Sequence, residues 1–215
     1  SLQNDLNQAI PLIQELLEII ESDESKTELN QLDRYRIYIS INDIYLQNLM
    51  DYEPEEIEVL KAEVDEACHE LLQEADGEEM SGRAMFILSS VLCLYSSGGI
   101  SQSECSSYLE VMLKIEEKKE QLDLRPLQQK HLYSGLGLIA AELEHPDTEK
   151  YILKSMELLD GDEGCLKLEA KILHMAAAFY GKIGKAEVVM EYLELALDRV
   201  TSLWQSCIRY YNDER

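Results

Sequence analysis

The amino-acid sequence predicts an all-α protein of about nine antiparallel helices joined by short connections. Apolar residues recur at spacings of three and four along most of the chain, which places them on one face of a helix. No stretch longer than a few residues alternates apolar and polar, as a half-buried strand would. Turn residues punctuate the periodic runs, and Pro54, Pro126 and Pro146 each precede a fresh one, where a missing N–H costs nothing.

Taken in order, the first helix is expected over 3–21, with Leu2, Leu6, Ala9, Ile13, Leu16, Leu17 and Ile20 on one stripe. Pro11 lies inside it, so the helix either kinks there or begins there. The second, over 28–51, carries Tyr38, Ile41, Tyr45 and Leu49, a stripe that Tyr52 continues. The third, over 54–76, carries Ile57, Leu60, Val64, Ala67, Leu71 and Ala75 and ends at Asp76-Gly77. Helices over 81–97 and 102–121 flank the turn Ser96-Ser97-Gly98-Gly99. Helices over 126–143 and 147–160 follow Pro126 and Pro146, and Asp160-Gly161-Asp162-Glu163-Gly164 closes the second of them. A helix over 165–182 leads into the longest, over 185–211, with Val189, Leu193, Ala196, Val200, Leu203, Cys207 and Tyr211 on a stripe.

Helix pairs of this length invite a test for internal repeats. The clearest unit is Leu173-x-x-Ala176-Ala177-x-x-Tyr180-x-x-x-Gly184, followed by Val189, Leu193, Ala196 and Leu197. It resembles the tetratricopeptide (TPR) repeat: a large residue, a small one, an aromatic, then glycine at the inter-helix turn. Tyr95-x-x-x-Gly99 repeats the aromatic-to-glycine step, with Tyr108 and Met112 on the next helix, and Leu136-Gly137 supplies the leucine–glycine pair of a third unit. The resemblance covers about residues 82–201, and the acidic helices of 1–80 are expected to continue it. In the middle unit Ala140 and Glu144 stand where the aromatic and the turn glycine belong, and no unit carries the closing proline. The architecture implied is a TPR-like solenoid, with an irregular helical bundle as the alternative.

In the TPR family the first helices of the repeats line a concave surface that binds peptides or proteins. Carrying the register over implies an inner face of Phe86, Ser89, Ser90, Cys93, Ser96 and Ser97, then His131, Ser134 and Leu138, then Lys171, His174, Ala178 and Lys182. Such a face is small and polar, faintly basic toward its end. It suits a groove around a peptide, or one filled by another part of the same chain.

Charge narrows the partners. The 215 residues hold 43 Asp plus Glu against 19 Lys plus Arg, a formal net charge of −24. Too few cations are present to displace counterions from phosphates, so direct nucleic-acid binding is not expected, nor is an anionic membrane surface. The acidity is local: residues 1–80 carry 22 acids and 4 bases, and residues 51–79 carry 13 acids with Lys61 as the sole base. On the helix over 54–76 the outward positions are Glu55, Glu56, Glu58, Glu63, Asp65, Glu66, Glu70 and Glu74. Like charges at i,i+4, as in Glu66/Glu70/Glu74, each cost a few tenths of a kcal/mol. That cost is the argument for a docking surface for a basic partner; a solvated face that keeps the chain in solution is the alternative.

Enzyme signatures are absent: no phosphate-binding glycine loop, no G-x-S-x-G, no H-E-x-x-H. E-x-x-H occurs at Glu66–His69 and Glu142–His145, but Pro146 biases His145 out of helical backbone and off the face of Glu142. Cys68 and His69 are sequence neighbours and so point apart on a helix. No catalytic residue, metal or cofactor is therefore expected. Five cysteines without a C-x-x-C pair, and no Asn-x-Ser/Thr acceptor, suit reduced thiols in an intracellular protein, cytoplasmic or nuclear. Near the end, Trp204 and Tyr211 share one face beside Arg209, either capping the last repeat or forming an exposed patch.

These readings converge on a non-enzymatic interaction module, an adaptor or dedicated chaperone for a basic protein or peptide. A peptide-sensing regulatory domain and a structural subunit of a larger complex are the alternatives.

Overall fold

The computed structural model describes residues 2–22, 29–47, 52–73, 78–159 and 166–212. Among them lie nine α-helices and no strand: α1 (Leu2–Glu21), α2 (Gln31–Gln47), α3 (Pro54–Gln73), α4 (Glu78–Ser96), α5 (Cys105–Lys118), α6 (Pro126–Glu142), α7 (Thr148–Leu159), α8 (Leu166–Lys182) and α9 (Ala186–Asn212). The expected helices are all present, with ends displaced by one to a few residues. The first runs unbroken through Pro11, so proline neither starts nor ends it. Pro54 and Pro126 each stand at the first residue of their helix, as the missing N–H favours.

The helices pack in two rows. α4, α6 and α8 lie side by side, each touching the next, and α5, α7 and α9 pack against this row from the other side. α8 and α9 form the most extensive pair. Their hairpin turns at Gly184, whose φ of 77° suits a residue without a side chain, while the Lys185 N–H donates to the Tyr180 carbonyl at 2.9 Å. α3 packs on α4 and α5.

α2 takes a place that the periodicity alone does not reveal. It lies along α4 and reaches α8. Tyr35 stacks on Phe86 at 4.3 Å between ring centroids, and Tyr38, Ile41, Tyr45 and Leu46 are buried with it. Burial of these rings supplies most of what holds α2 in place, at about 1.5–3 kcal/mol per large side chain. One apolar core runs from α1 to α8, and a smaller one around Ile152, Ala176 and Tyr180 joins α7, α8 and α9.

Candidate functional site

Three surfaces carry the residues that the sequence singles out. The first is the inner side of the α4–α6–α8 row, which is closed. Ser89, Ser90, Cys93 and His131 are buried under α2, and Ser134 is buried as well. Asn42 of α2 is the polar hub of this contact. Its amide donates to Ser89 Oγ at 3.1 Å and Ser90 Oγ at 2.8 Å, and its oxygen accepts from the Tyr52 hydroxyl at 2.7 Å. Cys93 Sγ donates to the Asn42 carbonyl at 3.6 Å. The small polar side chains expected to line an open groove instead satisfy a helix of the same chain, as buried polar groups must. Ser134 faces outward in the row and meets Ser155 Oγ of α7 at 2.8 Å. Lys171 donates to the Ser96 carbonyl at 3.1 Å, bridging α8 to the end of α4. Only the end of the expected face is open: His174 and Ala178 are exposed, and exposed Lys182 pairs with Glu144 at 3.3 Å.

Two titratable groups face each other across this contact. His131 Nε2 stands 3.9 Å from Asp43 Oδ1, an oxygen with no hydrogen bond. Burial pushes the His131 imidazole down to about 4, with Lys130 adding to the effect. Burial likewise pushes the Asp43 carboxyl up to about 6, against the pull of Arg125. Both groups are driven toward their neutral forms, the behaviour of a desolvated pair without strong hydrogen bonds.

The second surface is α3. Several of its acids are engaged by the fold: Glu63 pairs with Arg34, Glu70 with Arg83 at 3.0 Å and with Gln31 at 3.1 Å, and Asp65 accepts from the Tyr108 hydroxyl at 2.7 Å. Glu56 turns back to accept the Glu53 N–H at 2.8 Å, capping the helix start. The remaining three, Glu55, Glu58 and Glu66, are exposed. Cations near them are committed elsewhere. Lys61 pairs with Glu104 at 2.5 Å, and Lys114 donates to the Leu71 and Leu72 carbonyls at the helix end, at 2.7 and 2.8 Å. Glu74 lies outside the described residues.

The third surface is α9. Toward α8 it turns Val189, Tyr192, Ala196 and Arg199, the last paired with Glu169 at 2.8 Å and the Tyr192 ring 5.4 Å from Tyr180. A second stripe, Met190, Leu193, Leu197, Val200 and Trp204, faces solvent with 59, 41, 66, 52 and 64% of each residue exposed. Trp204 thus does not cap the core, and the Tyr211 side chain lies outside those described. The stripe expected from the sequence mixes the two faces, because Val189 and Ala196 pack inward while Leu193 and Val200 do not. The solvent-facing set keeps a strict 3,4,3,4 spacing and was legible on its own.

A cleft of about 240 Å3 is lined by Lys119, Gln129, Tyr133 and Lys154, but Lys119 already binds the Tyr133 hydroxyl at 2.9 Å and Glu116 at 3.1 Å, and Lys154 binds Glu157 at 2.9 Å. Among the described residues no three His, Cys, Asp or Glu are grouped to hold a metal ion. His69 bonds Gln73 at 2.6 Å, and His145 Nδ1 accepts the Asp147 N–H at 3.2 Å. Cys68, Cys93 and Cys105 are buried, and burial pushes the Cys68 thiol up to about 12, far from a thiolate nucleophile. No helix of the described residues is long and apolar enough to cross a membrane. Comparison with protein-family models, curated proteins and solved structures finds no match.

Proposed function

We propose that this chain is a non-enzymatic protein-interaction module, an adaptor or dedicated chaperone that binds a basic protein or peptide. The observation that carries the reading is the outer face of α3. Glu55, Glu58 and Glu66 stand exposed, while Arg34 and Arg83 pair with Glu63 and Glu70, Lys61 with Glu104, and Lys114 with backbone carbonyls. The fold thus consumes its own cations and leaves an uncompensated negative face, which attracts a complementary partner and speeds its encounter. The repeat reading supports the same class. α6/α7 and α8/α9, the latter with Tyr180 and Gly184 at its turn, pack as helical hairpins of the kind that a TPR-like array would stack, a scaffold suited to holding proteins. A fluorescently labelled Lys/Arg-rich peptide of about 20 residues is expected to bind at low salt and to weaken by roughly tenfold or more at about 0.3 M NaCl. Charge reversal at Glu55, Glu58 and Glu66 together should weaken it at low salt. Affinity that ignores both salt and these changes would sink the electrostatic reading.

A second reading, a structural subunit of a larger complex, is favoured by the bare apolar side chains at both ends of the array. These are Leu12, Leu16 and Ile19 on α1, and the solvent-facing stripe of α9. A terminal helix that closes a repeat array ordinarily turns a polar face outward. The peptide-sensing reading is the least favoured, since α2 fills the row that would hold the peptide.

A further inference from the structure

We propose that α9 is a self-association helix: two copies of the chain pair their α9 helices antiparallel, about a two-fold axis between Leu197 and Val200. The exposed residues Met190, Leu193, Leu197, Val200 and Trp204 follow the 3,4 spacing of the apolar seam between two paired helices. The helix has 27 residues, about 40 Å, and is ten residues longer than α8. With the axis placed there, Leu197 of each copy meets Val200 of the other, and Leu193 meets Trp204.

Charge selects this occupant and this direction. Glu187, Glu191, Glu194 and Asp198 all lie in the first half of α9, while no charged residue occurs from Thr201 to Ile208. Parallel pairing would set each acid beside its own copy. Antiparallel pairing sets the acidic half of one helix against the half of the other whose one charged residue is the cation Arg209. Head-to-tail contact with the bare side chains of α1 is disfavoured for two reasons. It would bring exposed Glu15 and Glu18 to the acids of α9, and a heterologous contact does not close on itself. Arg199, held by Glu169 and Asp198, stays on the α8 side of the helix. This inference does not rest on the α3 reading, and the two respond to salt with opposite signs.

Sedimentation equilibrium of the whole chain tests it. The expected mass rises from 24.7 kDa toward twice that value as concentration rises, and more so at about 0.3 M NaCl, which screens repulsion between two copies of charge −24. Leu197→Glu with Val200→Glu, both at exposed positions, should leave helicity unchanged and hold the chain at monomer mass. As a second readout, Leu193→Cys combined with Trp204→Cys should give a covalent dimer on oxidation, whereas Trp204→Cys combined with Leu12→Cys, which only a head-to-tail contact would join, should not. A monomer at every concentration and salt overturns the proposal, as does an open-ended ladder of masses. So does a stripe that takes up a Lys-flanked amphipathic peptide while the chain stays monomeric.

Discussion

At the scale of single residues, the contact between α2 and the α4–α6–α8 row depends on two side chains that sit side by side in sequence. Asn42 is fully buried, and its three side-chain hydrogen bonds reach Ser89, Ser90 and Tyr52. Replacing it with Leu keeps the volume but strips partners from buried hydroxyls, so a loss of about 2–3 kcal/mol is expected from urea denaturation. Tyr52→Phe should cost less, about 1 kcal/mol, because one bond goes and the ring stays. Asp43 makes a prediction about pH. Its folded carboxyl titrates near 6 against an ordinary 3.8, so the folded state holds the proton more tightly, and stability drains as pH rises from about 4 to about 6. His131, at about 4 against 6.5, acts in the other direction: the unfolded state holds the proton more tightly, and stability is lost as pH falls through that window. The two slopes oppose each other between about 4 and 6. Asp43→Asn removes only the first, so the variant should gain stability relative to the parent as pH rises from about 4 to about 6, then hold that gain. Urea midpoints at three pH values read this directly, and a gain that shrinks instead would mean that Asp43 is stabilised as an ion by His131.

At the scale of elements, helix existence was legible because a 3.6-residue period is a local property, and packing only has to accept it. Helix spacing was legible less fully. Gly137, read as part of a leucine–glycine repeat pair, lies where α6 crosses α7: a methyl group there would meet the Ile152 backbone at 3.5 Å, ordinary contact. Gly135, one turn-edge away, is different, since a methyl group there would overlap the end of Met112 on α5 and stand 3.1 Å from its sulfur. Gly137→Ala should therefore stabilise the protein by about 0.5–1 kcal/mol, the helix preference of alanine over glycine. Gly135→Ala should destabilise it by about 1 kcal/mol, as the repacking of Met112 outweighs that same gain. Thermal denaturation of both variants separates the two, and equal shifts would contradict the spacing. Nothing in the periodicity distinguished these glycines, because each depends on how near a different helix comes.

At the scale of the whole molecule, the charge of −24 is divided between acids the fold uses and acids it leaves out. The pairs Arg34–Glu63 and Arg83–Glu70 are largely shielded from solvent, and salt screens them weakly. The exposed excess repels itself and is screened fully. Raising NaCl from about 0.02 M to about 0.5 M should therefore raise the melting temperature by a few degrees. A fall would mean that exposed ion pairs contribute more than the repulsion costs. The same imbalance underlies both proposals made above, one a surface that seeks cations and the other a helix whose acids lie on one half only.

Sequence alone determined the all-α class, the rough bounds of the helices among the described residues, the acidic third helix and the long last one. Each is a property of neighbours within a few turns, where side-chain period and charge are set by local order. Tertiary structure decided what those helices do to one another. It placed α2 over the small polar residues Ser89, Ser90 and Cys93, engaged Glu63, Asp65 and Glu70 with partners 29, 43 and 39 positions away, and turned one of two stripes on α9 to solvent. Such pairings join residues far apart in sequence, and no local pattern records which distant helix a side chain will meet.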